Sequence, residues 1–479
     1  MVGRQAGGSA MIGELAERIV QGAETVQDTV RSALFEPVIR LGVTGLSRAG
    51  KTVFITSLVA NLIDRARMGQ LEAAAGGAIE AAFLQPQPDD TVPRFDYETH
   101  LAALASSRPR WPQGTRSISE LRLSLRIRPS GIMGAVRGAR RLHLDIVDYP
   151  GEWLLDLALL DRSYAQWSGE VLARLETRED AAPFLRLLRE IDAAAPHDES
   201  RARALAGSYT DTLRAARAAG LSDCTPGRFL LPGDLAGSPV LTFAPLPRPG
   251  RVRRGALWRE MERRYEAYKA QVIKPFFRAH FARIDRQVVL VDVLGAIHAG
   301  PAAVEDMRRA MAGILGAFRP GRNTALRRLL PGRRVERILF AATKADHIHH
   351  RQHPRLRAIM EALVKDARAR ADFAGAQTEA MSIAALRATV EESVEHGGRR
   401  LDCVRGWLED GRQAAFYPGE LPEDPARLLS PAREGARKWL DADYGVMNFA
   451  PAPLRLKPGE GPPHIRLDRA ARFLIGDRL

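Results

Sequence analysis

The stretch Pro37-Val38-Ile39-Arg40-Leu41-Gly42-Val43-Thr44, continued by Gly45-Leu46-Ser47-Arg48-Ala49-Gly50-Lys51-Thr52 and an apolar run to about Arg67, decides the fold. Its first part reads as a short strand, Gly45 to Gly50 as a loop and the run from Lys51 as a helix. The loop fits GxxxxGK[ST], the P-loop pattern, at the strand-to-helix junction where its chemistry needs it. The glycines let backbone N–H groups converge on phosphate oxygens, and the helix presents its positive dipole end to them. Gly45, Ser47, Arg48, Ala49, Gly50 and Val53 form the phosphate loop. Lys51 supplies a compact positive charge for the β and γ phosphates, and the Thr52 hydroxyl a ligand for Mg²⁺.

Two further strand ends carry matching signals. Leu142 to Gly151 ends an apolar run in Asp148-Tyr149-Pro150-Gly151, a DxxG pattern. Asp148 can hold a Mg²⁺-bound water, and the Gly151 amide can report on a γ phosphate. Thr343-Lys344-Ala345-Asp346 follows the apolar run Ile338 to Ala342 and matches [NT]KxD. The Asp346 carboxylate accepts in a fork that suits the N1–H and N2–H₂ edge of guanine, Lys344 can lie along the base, and Thr343 can tie this loop to the P-loop. Ser382 and Ile383 end a weaker strand where a further base contact would fall, although a helix cap at Ser382 reads equally well. Thr115 precedes the strand leading to DxxG and is the candidate γ-phosphate-sensing Mg²⁺ ligand, with Ser117 and Ser119 as competitors. Arg116 beside it is a weak candidate for a charge-supplying arginine. Glu152 stands directly after DxxG, where hydrolytic switches often carry a water-orienting glutamine; an exposed surface residue is the rival reading.

Around these motifs the chain divides into an amphipathic helix in residues 1–36, the first part of an α/β core in 37–152 with an irregular insertion at 68–114, and a helical domain inserted at 153–286. The second part of the core follows at 287–390 and a C-terminal extension at 391–479. Leu121 to Arg128 alternates with period two and should pair antiparallel with Arg141 to Asp148. The continuous apolar runs Gln287–Val293 and Arg337–Ala342 suit strands buried on both faces, so the sheet should be doubly wound and mostly parallel. Pro275 should kink the last inserted helix.

Composition narrows the class. At 479 residues, 45% hydrophobic and 27% charged, the chain is globular, and two cysteines, Cys224 and Cys403, exclude a disulfide framework. No apolar run reaches the roughly 18 residues of a membrane span, and the first ten residues lack a signal-peptide pattern, so a cytoplasmic location is expected. Basic residues exceed acidic ones by 71 to 57, and only seven of the 71 are lysine. The excess reads first as a solvated surface; Arg251–Arg264 and Arg319–Arg337 could meet phosphates or acidic lipids, but no aromatic stacking platform accompanies the second. Nucleic acid is therefore not the expected partner. His347, His349, His350 and His353 cluster after the base-reading loop without a nearby carboxylate or thiolate in sequence, which argues against a zinc site.

The ordered set GLSRAGKT, DYPGEW and TKADH, with WPQGTRSISELRL and the closing HIRLDRAARFLIGDRL, resembles the YcjX-like family of bacterial P-loop GTPases over nearly the whole chain. The resemblance implies a Ras-like core, a helical insertion, binding of GTP and GDP with Mg²⁺, and a stress-associated role, with an unknown protein effector and a possible peripheral contact at the inner membrane. Rival readings are an ATP-using P-loop kinase or ATPase and a nucleotide-bound scaffold acting through its basic surface.

Overall fold

The computed structural model describes residues 36–46, 48–114, 117–128, 139–316, 335–373, 375–436, 438–439 and 444–479. The expected N-terminal helix, most of the stretch Arg319–Arg337, and Ser47, Thr115 and Arg116 lie outside the described residues.

Alternation in the buried runs builds a two-faced sheet. In β5 (Arg286–Val291) Val289 and Val291 join one hydrophobic cluster while Val288 and Leu290 join another; β6 (Arg337–Ala342) divides Phe340 from Leu339 and Ala341 in the same way. Strand side chains alternate between faces, so a continuous apolar run needs a layer on each side. The sheet comprises β1 (Val38–Gly45), β2 (Ile79–Gln85), β3 (Ser119–Ile127), β4 (Arg140–Asp148), β5, β6 and β7 (Gln377–Ser382), in the order β2-β3-β4-β1-β5-β6-β7. β4, β1, β5, β6 and β7 run parallel, β3 is antiparallel to β4 as the sequence predicts, and β2 is antiparallel to β3. All three motif loops leave the C-terminal ends of parallel strands, at the crevice where open α/β sheets bind ligands.

β2 corrects the reading of 68–114 as an irregular insertion. Its sequence, IEAAFLQ, is poor in β-branched residues and alternates weakly, but as the edge strand it is only partly buried, and pairing with β3 overrides propensity. A second sheet, β8 (Thr389–His396), β9 (Arg399–Trp407) and β10 (Gln413–Phe416), is antiparallel throughout.

Between β4 and β5 the chain is helical, as expected, including α1 (Glu199–Ala218) and α2 (Leu257–Tyr268). These helices share one hydrophobic cluster with β5 and β6, so they form a layer continuous with the sheet face. A π turn at Lys269–Ile273 stands just ahead of Pro275, where the missing amide disrupts α-helical bonding. The C-terminal helix α3 (Leu467–Ile475) packs on the opposite face beside the helix that follows the P-loop. In the basic stretch Arg251–Arg264, Arg259, Arg263 and Arg264 pair with Glu262, Glu260 and Glu199. Much of that charge is thereby matched locally.

Asp156 joins the segment after DxxG to the helical layer. Its two oxygens accept from the Gly227 amide at 2.7 Å and the Tyr268 hydroxyl at 2.5 Å. Burial pushes its carboxyl up from 3.8 to about 7, with the hydrogen bonds opposing. A raised value in the folded state means that the stabilising proton is fully held below about 3.8 and is lost as the pH climbs to about 7. Asp156→Asn keeps both contacts without a titrating group. Denaturant unfolding between pH 4 and 8 should show a smaller loss of stability in the variant than in the parent, by at most about 4 kcal/mol; parallel profiles would refute the assignment.

Candidate functional site

The P-loop leaves β1 and enters the helix Lys51–Ile63, whose N-cap Gly50 is left-handed at φ 79°, a conformation that glycine adopts without cost. Three described residues other than glycine have positive φ: Arg48 at 63°, Lys344 at 59° and Arg466 at 57°. All three belong to the motif loops or to the segment that braces them, which is where backbone strain is characteristically stored. Within the loop the Lys51 ammonium donates to the Gly45 carbonyl at 3.3 Å, and the Thr52 hydroxyl donates to the Gln113 carbonyl at 3.4 Å. The WPQG segment thus lies against the P-loop, and Trp111 anchors it by donating its indole N–H to the Phe449 carbonyl at 2.8 Å.

DxxG stands beside this loop because β4 is the parallel neighbour of β1, with Val43 opposite Asp148. Asp148 is buried, and Ser119 at the start of β3 faces it across the antiparallel pair. The Gly151 backbone is so close to the P-loop that a Cβ there would lie 2.0 Å from the Gly45 oxygen. Thr52 and Asp148 offer only oxygen donors, a hydroxyl and a carboxylate, which suits a hard cation such as Mg²⁺. Glu152 is 5% exposed, which corrects the reading of it as a surface residue; its carboxylate pairs with Arg217 of α1 at 3.0 Å.

The base-reading loop is held from several sides. Lys344 forms an ion pair with Asp292, which itself caps the next helix by accepting from the Gly295 amide at 3.0 Å. Asp346 is buried, with one carboxylate oxygen accepting from the Ala388 amide at 2.8 Å. The Thr343 hydroxyl donates to Val291 at 3.3 Å, at the end of β5, so the tie expected toward the P-loop goes to the neighbouring strand. Ser382 donates to the His353 carbonyl at 3.1 Å and caps no helix. Ser382 and Ile383 stand one step behind the cavity wall, which Ala384, Ala385 and Leu386 provide.

The C-terminal segment braces that wall. Ala384 and Ile465 exchange backbone hydrogen bonds, and Arg466 donates to Ser382 O at 3.0 Å and lies 3.2 Å from His353 Nδ1. His353 Nε2 lies 2.8 Å from the Ala345 carbonyl, which only accepts, while the guanidinium only donates. The ring is therefore neutral with its proton on Nε2, in keeping with a value held below the ordinary one by burial and by Arg466. The fold also brings the expected missing carboxylate to the histidine cluster: Glu391 of β8 accepts from the His350 amide at 2.9 Å and sits 2.6 Å from its ring nitrogen. These bonds account for the cluster as a tie between the base-reading loop and the second sheet.

A cavity of about 820 Å³ opens between these loops, lined by Arg48 to Thr52, Thr343, Lys344, Asp346 and Ala384 to Leu386. The lining also includes His347, which the sequence showed only as part of the histidine cluster, and residues that sequence reasoning missed: Arg214 and Arg217 from α1, Glu409, Asn448 and Phe449. The first two come from a helix whose pattern is that of any amphipathic surface helix, and the last three from distant segments without a motif.

Comparison with known proteins gives the same picture over nearly the whole length. The profile of the "YcjX-like family, DUF463" matches residues 39–479. A protein of Escherichia coli (strain K12) named "Ras-like GTPase YcjX" is 38% identical over 460 residues, covering 92% of this chain and 96% of the relative. A protein of the same name from Shewanella oneidensis (strain MR-1) is 36% identical over 467 residues, covering 92% and 94%. On the strength of that match and of two relatives aligned almost end to end, the chain belongs to the YcjX-like family.

Proposed function

We propose that the cavity binds GTP and that the protein hydrolyses it to GDP and phosphate, acting as a nucleotide-dependent switch. The observation that carries this reading is the convergence of the P-loop and the TKAD loop on one cavity of about 820 Å³. The names of the two relatives, both "Ras-like GTPase", support it. Water adds at the γ-phosphorus and the bridging oxygen leaves with GDP. Lys51 neutralises charge on the β and γ phosphates, P-loop amides hold the oxygens, and the Gly151 amide senses the γ phosphate. Thr52 directly, and Asp148 through a bound water, would hold Mg²⁺, which would supply charge neutralisation to the phosphates. Asp346 selects guanine over adenine with the part of its carboxylate that faces the cavity. The stress-associated role belongs to this proposal through the family resemblance, as does a cytoplasmic location with a protein effector.

Asp346→Asn tests the base. Its amide oxygen can stay on the Ala388 N–H, which turns the NH₂ toward the donors of guanine. Affinity for GTP and GDP should fall about 10- to 100-fold, in line with about 1.5–3 kcal/mol for charge-assisted hydrogen bonds, with ATP binding unchanged. Equal GTP affinity in titration calorimetry would sink the guanine reading.

Gly151→Ala tests the contact between motifs. A methyl group 2.0 Å from the Gly45 oxygen must push DxxG off the P-loop. Unfolding free energy should drop by about 1–3 kcal/mol, and GDP should no longer raise the melting temperature; an unchanged nucleotide-induced shift contradicts the proposed site.

A further inference from the structure

The carboxylate that the sequence lacks beside the histidines arrives from the second sheet. Residues two apart on a strand share a face, so Glu391 and Ser393 of β8 lie on one side, and the register with β9 sets Asp402 opposite Ser393. The turn His350–Gln352, with His349 as its cap, meets that face. Three ligand atoms from two distant parts of the chain are thereby gathered. Glu391 Oε2 lies 2.6 Å from His350 Nδ1 and 3.7 Å from His349 Nε2, and the three groups offer atoms that all lie within 4.8 Å of one another. The two imidazole rings stand against each other, with centroids 4.3 Å apart.

Hydrogen bonds do not fully explain this arrangement. His349 is only 7% exposed, yet its Nε2 is 3.7 Å from the Glu391 oxygen, beyond hydrogen-bond reach. Ligand atoms on one tetrahedral Zn²⁺, with bonds of about 2.0–2.1 Å, stand about 3.4 Å apart, between the two separations from Glu391 Oε2. Two imidazoles and a carboxylate suit Zn²⁺, whereas Mg²⁺ and Ca²⁺ call for oxygen ligands alone. An ion on His349 Nε2 requires the ring proton on Nδ1. There Asp402 Oδ2, 3.8 Å away, would accept it in place of the long 3.4 Å contact from the Arg351 amide. Metal-bound histidines characteristically have such a carboxylate behind them. The nearby cation, Arg351, is itself held on Asp402 at 3.2 Å.

We propose that His349 Nε2, His350 Nδ1 and Glu391 Oε2 form a Zn²⁺ site. Water takes the fourth position on the side where the His350 side chain is 62% exposed. The ion fastens the segment after the base-reading loop to β8. At the other end of the same pair of segments Asp346 is already held, accepting from the Ala388 amide through its carboxylate and from the Thr389 hydroxyl through its carbonyl. Residues 346–350 and 388–391 are then pinned at both ends.

No nucleotide is needed to test this. The full-length protein is stripped with a chelator, moved to chelator-free buffer and titrated with ZnCl₂ by calorimetry. One Zn²⁺ per chain should bind with a Kd of about 10 µM or tighter. His350→Ala, at an exposed side chain, and Glu391→Gln should each weaken binding at least about tenfold, the lower bound for losing even an outer partner of a metal ligand. Glu391→Gln keeps an oxygen for the His350 amide while its NH₂ cannot ligate. His350→Ala decides alone should the other variant fail to fold. His197→Ala removes a histidine that faces a single carboxylate, Glu199 at 3.3 Å, and should leave the titration unchanged. Zn²⁺ should also raise the melting temperature of the wild type and not that of Glu391→Gln. Binding weaker than this, or a loss of less than about tenfold in a folded variant, would overturn the proposal.

Discussion

The molecule turns on a backbone contact between Gly151 and the Gly45 carbonyl, so tight that no Cβ fits between them. It exists because β1 and β4 are parallel neighbours in register, which brings the P-loop and DxxG out of the sheet side by side. A second contact of the same kind follows at once: a Cβ on Gly227 would stand 2.1 Å from the Glu152 carbonyl oxygen. The Gly227 amide then donates to Asp156 at 2.7 Å. P-loop, DxxG and helical layer are thus joined in series by main-chain approaches that leave no slack. Close-packed interiors respond to displacement by switching between arrangements more readily than by deforming. Movement at Gly151 would therefore be transmitted to the helices, and α1 lies at the far end of that chain of contacts through the pair of Glu152 with Arg217.

The other side of the cavity is built differently. There the loop that would select the base is short and would be loose by itself, and the C-terminal segment holds it. Ile465 extends the Ala384 strand end by two backbone bonds, Arg466 ties Ser382 and the neutral His353 together, and α3 seats the segment in the core under the sheet. One wall is thus coupled to the helical layer and the other is fixed to the core. A site of this design can keep a base in place while the region around the terminal phosphate rearranges.

What was legible in the sequence follows from how far apart the cooperating residues lie. GLSRAGKT, DYPG and TKAD are contiguous, each needs a particular backbone path, and each occurs at the end of an apolar strand run, so their convergence could be read in advance. β5 and β6 were legible because burial on two faces leaves an uninterrupted apolar run. β2 was not, since an edge strand poor in β-branched residues and alternating only weakly exists through its partner. The hairpin of β8 and β9 was overlooked although Gly397-Gly398 marks its two-residue turn, because its strands are rich in charged residues and neither shows a regular apolar alternation. Arg217 was hidden for a different reason. It lies 65 residues past Glu152, and among 64 arginines nothing local distinguishes one that meets a buried carboxylate from one that meets solvent.

The scarcity of lysine acquires a structural meaning here. Lys51 reaches the Gly45 carbonyl within its own loop, and Lys344, left-handed at φ 59°, places its ammonium on Asp292, the cap of the next helix. In both places the charge must fit beside a backbone that already turns sharply, and a planar guanidinium with its wider hydrogen-bonding fork would have to displace that backbone. Two of the chain's seven lysines thus stand at this cavity, where a compact charge is required.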